Sequence, residues 1–221
     1  ENKFLFFSIF SLISITIFFS GSRSSLALLF LFITIFLLLF KSFRKEMLTL
    51  LISVVILLGL SSALSEKIRH NINYNLFDPI RTIFFQSEQS RTENVKDKKI
   101  IIFTQVYHTH YETAYKMFKN NKFFGVGNKM YRKLCSEKEY NINKFSCTTH
   151  PHNFYIQVLA ENGFFGFIFI ISLFTYCSLI IFKEIYFRNI KKINNLDDKS
   201  VLILTGVFLN LWPIIPSGNL Y

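Results

Sequence analysis

Cysteine is scarce, with three residues in a chain of 221. None stands in C-x-x-C spacing and none joins a histidine at metal-ligand spacing, so the sequence offers no metal site and implies no cofactor. Glycine (8) and proline (4) are also few, while 51% of residues are hydrophobic. That composition excludes a disordered chain. The lone G-x-G, Gly125-Val126-Gly127, follows no strand and reads as a tight turn rather than a nucleotide loop. Acidic residues are outnumbered 14 to 25 by Lys and Arg, leaving a net charge of +11. The chain starts at Glu1 without an initiator Met and ends in an apolar run, which reads as a piece of a longer protein.

What is abundant is uninterrupted apolar sequence. Phe4–Ser22, Ser24–Phe40, Met47–Ser65, Gly163–Phe182 and Val201–Tyr221 carry no charged residue. Each is about the length that crosses a bilayer, roughly 17–25 residues. Backbone groups in hydrocarbon must pair within their own segment, so these runs are expected to be helices despite their aromatic and β-branched content. The first run is too long for a signal-peptide core and lacks an A-x-A-like cleavage site. The expected fold is therefore all-α: a multi-pass transmembrane helical bundle with a large periplasmic loop containing amphipathic helices. Residues 1–65 would hold three spans, 66–162 the loop domain and 163–221 two further spans.

Lys and Arg set the orientation. Loop 41–46 contains Lys41, Arg44 and Lys45, and loop 183–200 contains Lys183, Arg188, Lys191, Lys192 and Lys199. Both are expected on the cytoplasmic side. The turn Gly21-Ser22-Arg23, the block 66–162 and Pro216-Ser217-Gly218-Asn219 then face outward. Cys135 and Cys147 both fall in the outer block, in an oxidising compartment such as a bacterial periplasm. A disulfide between them is favoured over two unpaired thiols, and Cys177, inside a span, reads as inert packing.

The outer block holds 15 Lys and Arg against 9 Asp and Glu, net +6. A basic surface beside a membrane attracts anionic headgroups or an anionic lipid-linked substrate. Nucleic acid is excluded by compartment. Most of these lysines read as a solubilising surface. Residues 86–99 are polar and read as a flexible loop. From Phe103 a stripe of Phe103, Tyr107, Tyr111, Ala114 and Phe118 recurs at helical spacing, with Glu112 and Lys116 on the other side. This predicts an amphipathic helix that ends near Asn120-Asn121.

The most informative stretch is Thr148-Thr149-His150-Pro151-His152-Asn153-Phe154-Tyr155. A helix starting at Pro151 would put His152 in its first turn. The positive helix end would keep the imidazole neutral, and free N–H groups there would bind phosphate oxygens. A base and an anion site would then share one turn. A capping histidine with no chemistry fits the spacing equally. Arg23 interrupts an apolar stretch at an outward turn, where it must snorkel to water or meet an anion. For a generic Arg, snorkelling is the commoner outcome.

Three motifs together resemble the O-antigen ligase and O-antigen polymerase family of bacterial inner-membrane proteins. They are Gly21-Ser22-Arg23-Ser24-Ser25 opening a span, the stretch Asn120-Asn121-Lys122-Phe123-Phe124-Gly125-Val126-Gly127 ending a helix, and the run from His150 through Asn153 to Gly166 entering a span. They stand in the order of that family's C-terminal half. The resemblance implies periplasmic glycosyl transfer from an undecaprenyl-diphosphate-linked glycan. The acceptor would be lipid A–core for a ligase, or another lipid-linked repeat unit for a polymerase, with no metal. His152 matches the family's essential histidine, which would deprotonate or orient the acceptor hydroxyl. Arg23 matches an arginine expected to hold the diphosphate. His150 and Asn153 flank His152 as candidate substrate contacts. A second family arginine is missing about where Tyr107 and His108 stand; His108, His110 and Arg132 are candidate replacements, with His110 flanking the apolar stripe and His108 reading as more exposed. The contrasting reading is a transporter or binding protein for lipid-linked glycans. The charge-free spans weigh against ion-coupled transport.

Overall fold

Helices form over most of the uncharged runs that the structure describes. The computed structural model describes residues 2–20, 22–64, 66 and 105–213, and no strand occurs among them. The expected flexible loop 86–99, Phe103 of the expected stripe and the outward turn 216–219 lie outside the described residues, as does Gly21. The helices are α1 (Asn2–Phe19), α2 (Arg23–Leu39), α3 (Arg44–Leu64), α4 (Gln105–Asn120), α5 (Tyr131–Leu134), α6 (Phe154–Tyr186) and α7 (Asp198–Asn210). The chain forms two compact units, one of Glu1–Lys96 with Glu184–Asn195 and the other of Asp97–Lys183 with Leu196–Tyr221.

In the first unit, Ser22 caps α2 by accepting from the Ser25 N–H, one of the donors a helix start leaves unpaired. Hydroxyls within the apolar helices turn back on their own backbone: Ser14 donates to Phe10 O at 2.8 Å and Thr16 to Leu12 O at 2.7 Å. That is the local solution for a polar side chain without water. α2 and the following helix meet through a 3-10 turn at Lys41–Phe43 with a bend of 114°.

The two basic loops expected on one face meet in this unit. Lys41 Nζ donates to the carbonyls of Arg188 and Asn189 at 3.1 and 3.3 Å. Arg44 donates to Asn189 Oδ1 at 3.1 Å, and Asn189 Nδ2 to Leu38 O at 2.8 Å. Beneath them Arg188 Nε pairs with Glu184 Oε1 at 2.8 Å, both side chains buried. The Arg188 guanidinium also lies 5.3 Å from the Phe40 ring centre. The five residues Phe187–Lys191 widen into a π-helical turn, which carries Arg188 and Asn189 to these partners.

The second unit is organised by a break. α6 is interrupted at Gly163, whose backbone (φ 67°, ψ −160°) is not helical. The break frees carbonyls before it and N–H groups after it. The segment 122–127 pairs with both sets. Val126 and Gly127 donate to Ala160 O and Glu161 O at 2.9 Å, while Phe164 and Phe165 donate to Lys122 O and Phe123 O at 2.7 and 3.4 Å. The approach is so close that a Cβ on Gly125 would sit 2.3 Å from the Glu161 carbonyl carbon, and one on Gly163 2.4 Å from Phe123 O. Ala114, Met117, Tyr131, Cys135, Tyr140 and Ala160 form the core around this contact. Cys135 and Cys147 are joined as a disulfide with a Cα–Cα distance of 5.1 Å. α7 stacks Phe208 on Phe174 of α6 at 5.4 Å.

Among the described residues one helix, over Phe154–Lys191, is long and apolar enough to cross a membrane, and 24–39 with 41–53 qualifies as a bent pair. The last run departs from expectation. α7 starts at Asp198, capped by Asp197, and stops at Asn210. Its 13 residues rise only about 20 Å, because Pro213 lacks an N–H and disfavours helix at the residue before it.

Gly163 combines a backbone region closed to L-residues with contact to Phe123 O, so Gly163→Ala is expected to cost at least about 3 kcal/mol. Gly59 in α3 has open space where its Cβ would be; Gly59→Ala is expected to be neutral or stabilising by up to about 1 kcal/mol. Thermal unfolding of the two variants in detergent checks the contrast; equal shifts would contradict it.

Candidate functional site

The helix expected at Pro151 starts three residues later, and the cause is Asn153. Its Oδ1 accepts from the Ile156 N–H at 3.1 Å, and its backbone carbonyl accepts from Gln157 N. That is the geometry of an N-cap, and Asn is among the strongest residues in that role. Asn153 Nδ2 also donates to Pro213 O at 2.9 Å, tying the start of α6 to the end of α7. The candidate substrate contact Asn153 is therefore engaged in holding the chain at both ends of its amide.

His152 thus lies just before the cap rather than in the first turn. It takes a left-handed backbone (φ 59°), which costs a side-chain-bearing residue on the order of 1–2 kcal/mol. Buried Pro151 and Asn153 hold it from both sides. The anion site expected at this terminus is reduced, since the cap has taken the Ile156 N–H.

Three imidazoles gather here. The His152 ring centre lies 4.3 Å from that of His150 and 5.6 Å from that of His110, with Tyr107 edge-on at 5.4 Å. His110 is only 4% exposed and His150 9%. His110 Nδ1 and His150 Nε2 are buried without a hydrogen-bond partner, whereas the other side of His150 is fixed by Thr149 Oγ1 at 2.8 Å from Nδ1. Among the described residues no group of three or more His, Cys, Asp or Glu is arranged to hold a metal ion.

Burial, reinforced by the charge His150 would carry, lowers the pKa of His152 below the usual histidine value. Burial lowers His110 too, with His152 and then His150 adding to it; hydrogen bonds to the backbone of Phe145 and Ser146 oppose the shift. Desolvation and like-charge neighbours both disfavour the imidazolium. The neutral form of His152 is thereby favoured, through burial and a neighbouring imidazole rather than the helix dipole read in the sequence.

The scaffold behind the cluster is polar and buried. α4 presents Thr109, His110, Thr113, Ala114 and Met117 inward. The stripe expected from sequence, Tyr107, Tyr111, Ala114 and Phe118, lies beside this face and shares only Ala114 with it; its three aromatic residues are half-buried. His108 stays half-exposed, 3.9 Å from Glu112. Tyr131 donates its hydroxyl to His110 O at 3.3 Å and Ser146 O at 3.0 Å, locking α4 to the histidine-bearing segment. Its own N–H donates to Glu161 Oε1 at 3.1 Å, and Gln157 donates to Glu161 Oε2 at 3.2 Å. Gln157 and Glu161 have no evident task in the sequence. An acid one helical turn after a glutamine in an apolar helix was the available signal. Arg132 is exposed on α5. Arg23 is the first residue of α2; its side chain lies outside the described residues.

A family model described as O-antigen ligase matches residues 8–171 of the chain. The match takes in Arg23, His110, Arg132 and the whole histidine-bearing segment. No curated protein and no solved structure matches the chain.

The lowered histidines fix a sign for stability against pH. Above the unfolded value of 6.5 both states are neutral and stability is full; as pH falls below 6.5 the unfolded chain takes up protons that the folded chain refuses, so stability is lost. Thermal unfolding in detergent between pH 7.5 and 5 is expected to show this loss, at most about 1.4 kcal/mol per pH unit for each histidine. His110→Gln is expected to flatten the slope, and an unaltered slope would contradict the buried cluster.

Proposed function

The chain belongs to the O-antigen ligase family, and from that premise we propose that it transfers a glycan from undecaprenyl diphosphate to a hydroxyl acceptor at the periplasmic face of a bacterial inner membrane. The family acts in glycosyl transfer during lipopolysaccharide synthesis. The acceptor is lipid A–core, or in a polymerase another lipid-linked repeat unit; both offer a sugar hydroxyl, and one chemistry serves both. The apolar helices are read as membrane spans, with the basic loops 41–46 and 183–200 on the cytoplasmic side.

The observation that supports this reading is the packing of the His152 ring against those of His150 and His110, which, with partial burial, favours its neutral form. In the proposed step the acceptor hydroxyl gives its proton to His152 while its oxygen bonds to the anomeric carbon. The bond from that carbon to the diphosphate breaks, and undecaprenyl diphosphate leaves with the electron pair. General-base help of this kind contributes about 10²–10⁴-fold. His150, close to His152 and with its inner nitrogen unpartnered, orients the imidazole or the hydroxyl. His110, whose ring lies 5.6 Å from that of His152, is assigned the second anion contact, made through a ring N–H rather than a charge. Arg23 is assigned to the diphosphate on its motif alone, where its fixed charge would stabilise the leaving group.

Turnover of a lipid-linked glycan by the full-length protein in lipid, with lipid A–core or a second lipid-linked glycan as acceptor, tests the proposal and separates ligase from polymerase. His152→Ala is expected to lose at least about 10²-fold in turnover while keeping its thermal unfolding. The wild-type rate is expected to fall on acidification with an apparent pKa below 6.5. Full turnover by His152→Ala would remove the assignment. Arg23→Ala is expected to weaken donor binding.

A further inference from the structure

The segment that closes the break in α6 carries two rings that the described residues leave largely exposed. Phe123 is 62% and Phe124 78% exposed. The segment cannot turn them inward, because its backbone is held by Ala160 and Glu161 on one side of the break and by Phe164 and Phe165 on the other. Two uncovered phenylalanines in water are unfavourable by a few kcal/mol, at roughly 1.5–3 kcal/mol for each large apolar side chain.

Their surroundings point to an occupant. The Phe165 ring of α6 lies 6.2 Å from Phe123 and 5.4 Å from Phe124. Phe165, Phe169, Tyr176, Leu179 and Phe182, all exposed, follow one another at helical spacing along the helix long enough to cross a membrane. The pair is therefore continuous with the apolar outer surface of that helix. Exposed Lys119 and Lys122 stand just before it in the chain. Rings against apolar surface with cations nearby in the chain are the composition of a membrane-interface anchor, and the cations suit anionic headgroups.

We propose that Phe123 and Phe124 insert into the acyl-chain boundary of the leaflet nearest the histidine-bearing segment, so that the lipid bilayer itself holds the broken turn of α6 at headgroup depth. The inference rests on the reading that α6 crosses the membrane.

The test uses the full chain with Cys177, the one cysteine outside the disulfide, replaced by Ala. A nitroxide on Phe124→Cys, in liposomes of phosphatidylethanolamine and phosphatidylglycerol, is read by power saturation with oxygen and with a water-soluble nickel complex. Oxygen is expected to dominate at position 124, at a depth of about 5–10 Å below the headgroups. A control nitroxide on Phe169→Cys reports the span. Nickel dominance at 124 with oxygen dominance at 169 overturns the anchor and leaves the span standing; nickel dominance at both overturns the span. A label at 124 shielded from both reagents shows that protein, not lipid, covers the patch, and also overturns the anchor. Should Phe124→Cys fail to fold, Phe123→Cys carries the same readout and the same outcomes.

Discussion

The fold of the second unit depends on backbone groups released where α6 breaks at Gly163. A helix interrupted in an apolar setting leaves carbonyls and N–H groups that must find partners. Here a segment far upstream supplies them, Val126 and Gly127 as donors and Lys122 and Phe123 as acceptors. Because four bonds cross a contact with no room for a Cβ at Gly125 or Gly163, the position of 122–127 is fixed against the helix. α4 leads into that segment and α5 follows it, so the placement of His110 and Tyr131 is inherited from the same contact.

From there the site assembles in order. Glu161, beside the break, accepts from the Tyr131 N–H, and Tyr131 bridges His110 and Ser146 through its hydroxyl. The disulfide ties α5 to the segment leading to His150. Asn153 caps α6 and reaches Pro213. His152 is thereby caught in a left-handed turn between two fixed points, with the rings of His150 and His110 close by. A proton on one of these rings raises the cost of a second, since like charges at such separations in a desolvated setting repel strongly. The cluster favours neutral rings over a fixed positive charge.

Part of this was legible in the sequence. The charge-free runs mark the helices, and the two basic loops assigned to one side do meet, through Lys41, Arg44 and Asn189. The motif pieces 120–127 and 150–166 turn out to be the two sides of one backbone contact. Other features were hidden for physical reasons. Proline at 151 competes with Asn153 as a helix start, and only the realised hydrogen bond to Ile156 N–H decides between them. The inward face of α4 is Thr109, His110 and Thr113 rather than its aromatic stripe. Counting apolar residues misses a helix whose buried groups are small or polar. The last apolar run looks like a full span until Trp212-Pro213 ends its helix at Asn210.

The central claim is that His152 is a neutral base at the working pH, made so by burial and by its histidine neighbour. Imidazole nitrogen-15 NMR of the full chain in lipid nanodiscs, with the His152 signal assigned by substitution, measures that protonation directly. The account predicts a neutral ring at pH 7 and a titration midpoint below 6.5. A ring that is protonated at pH 7, or that titrates above 6.5, would contradict it.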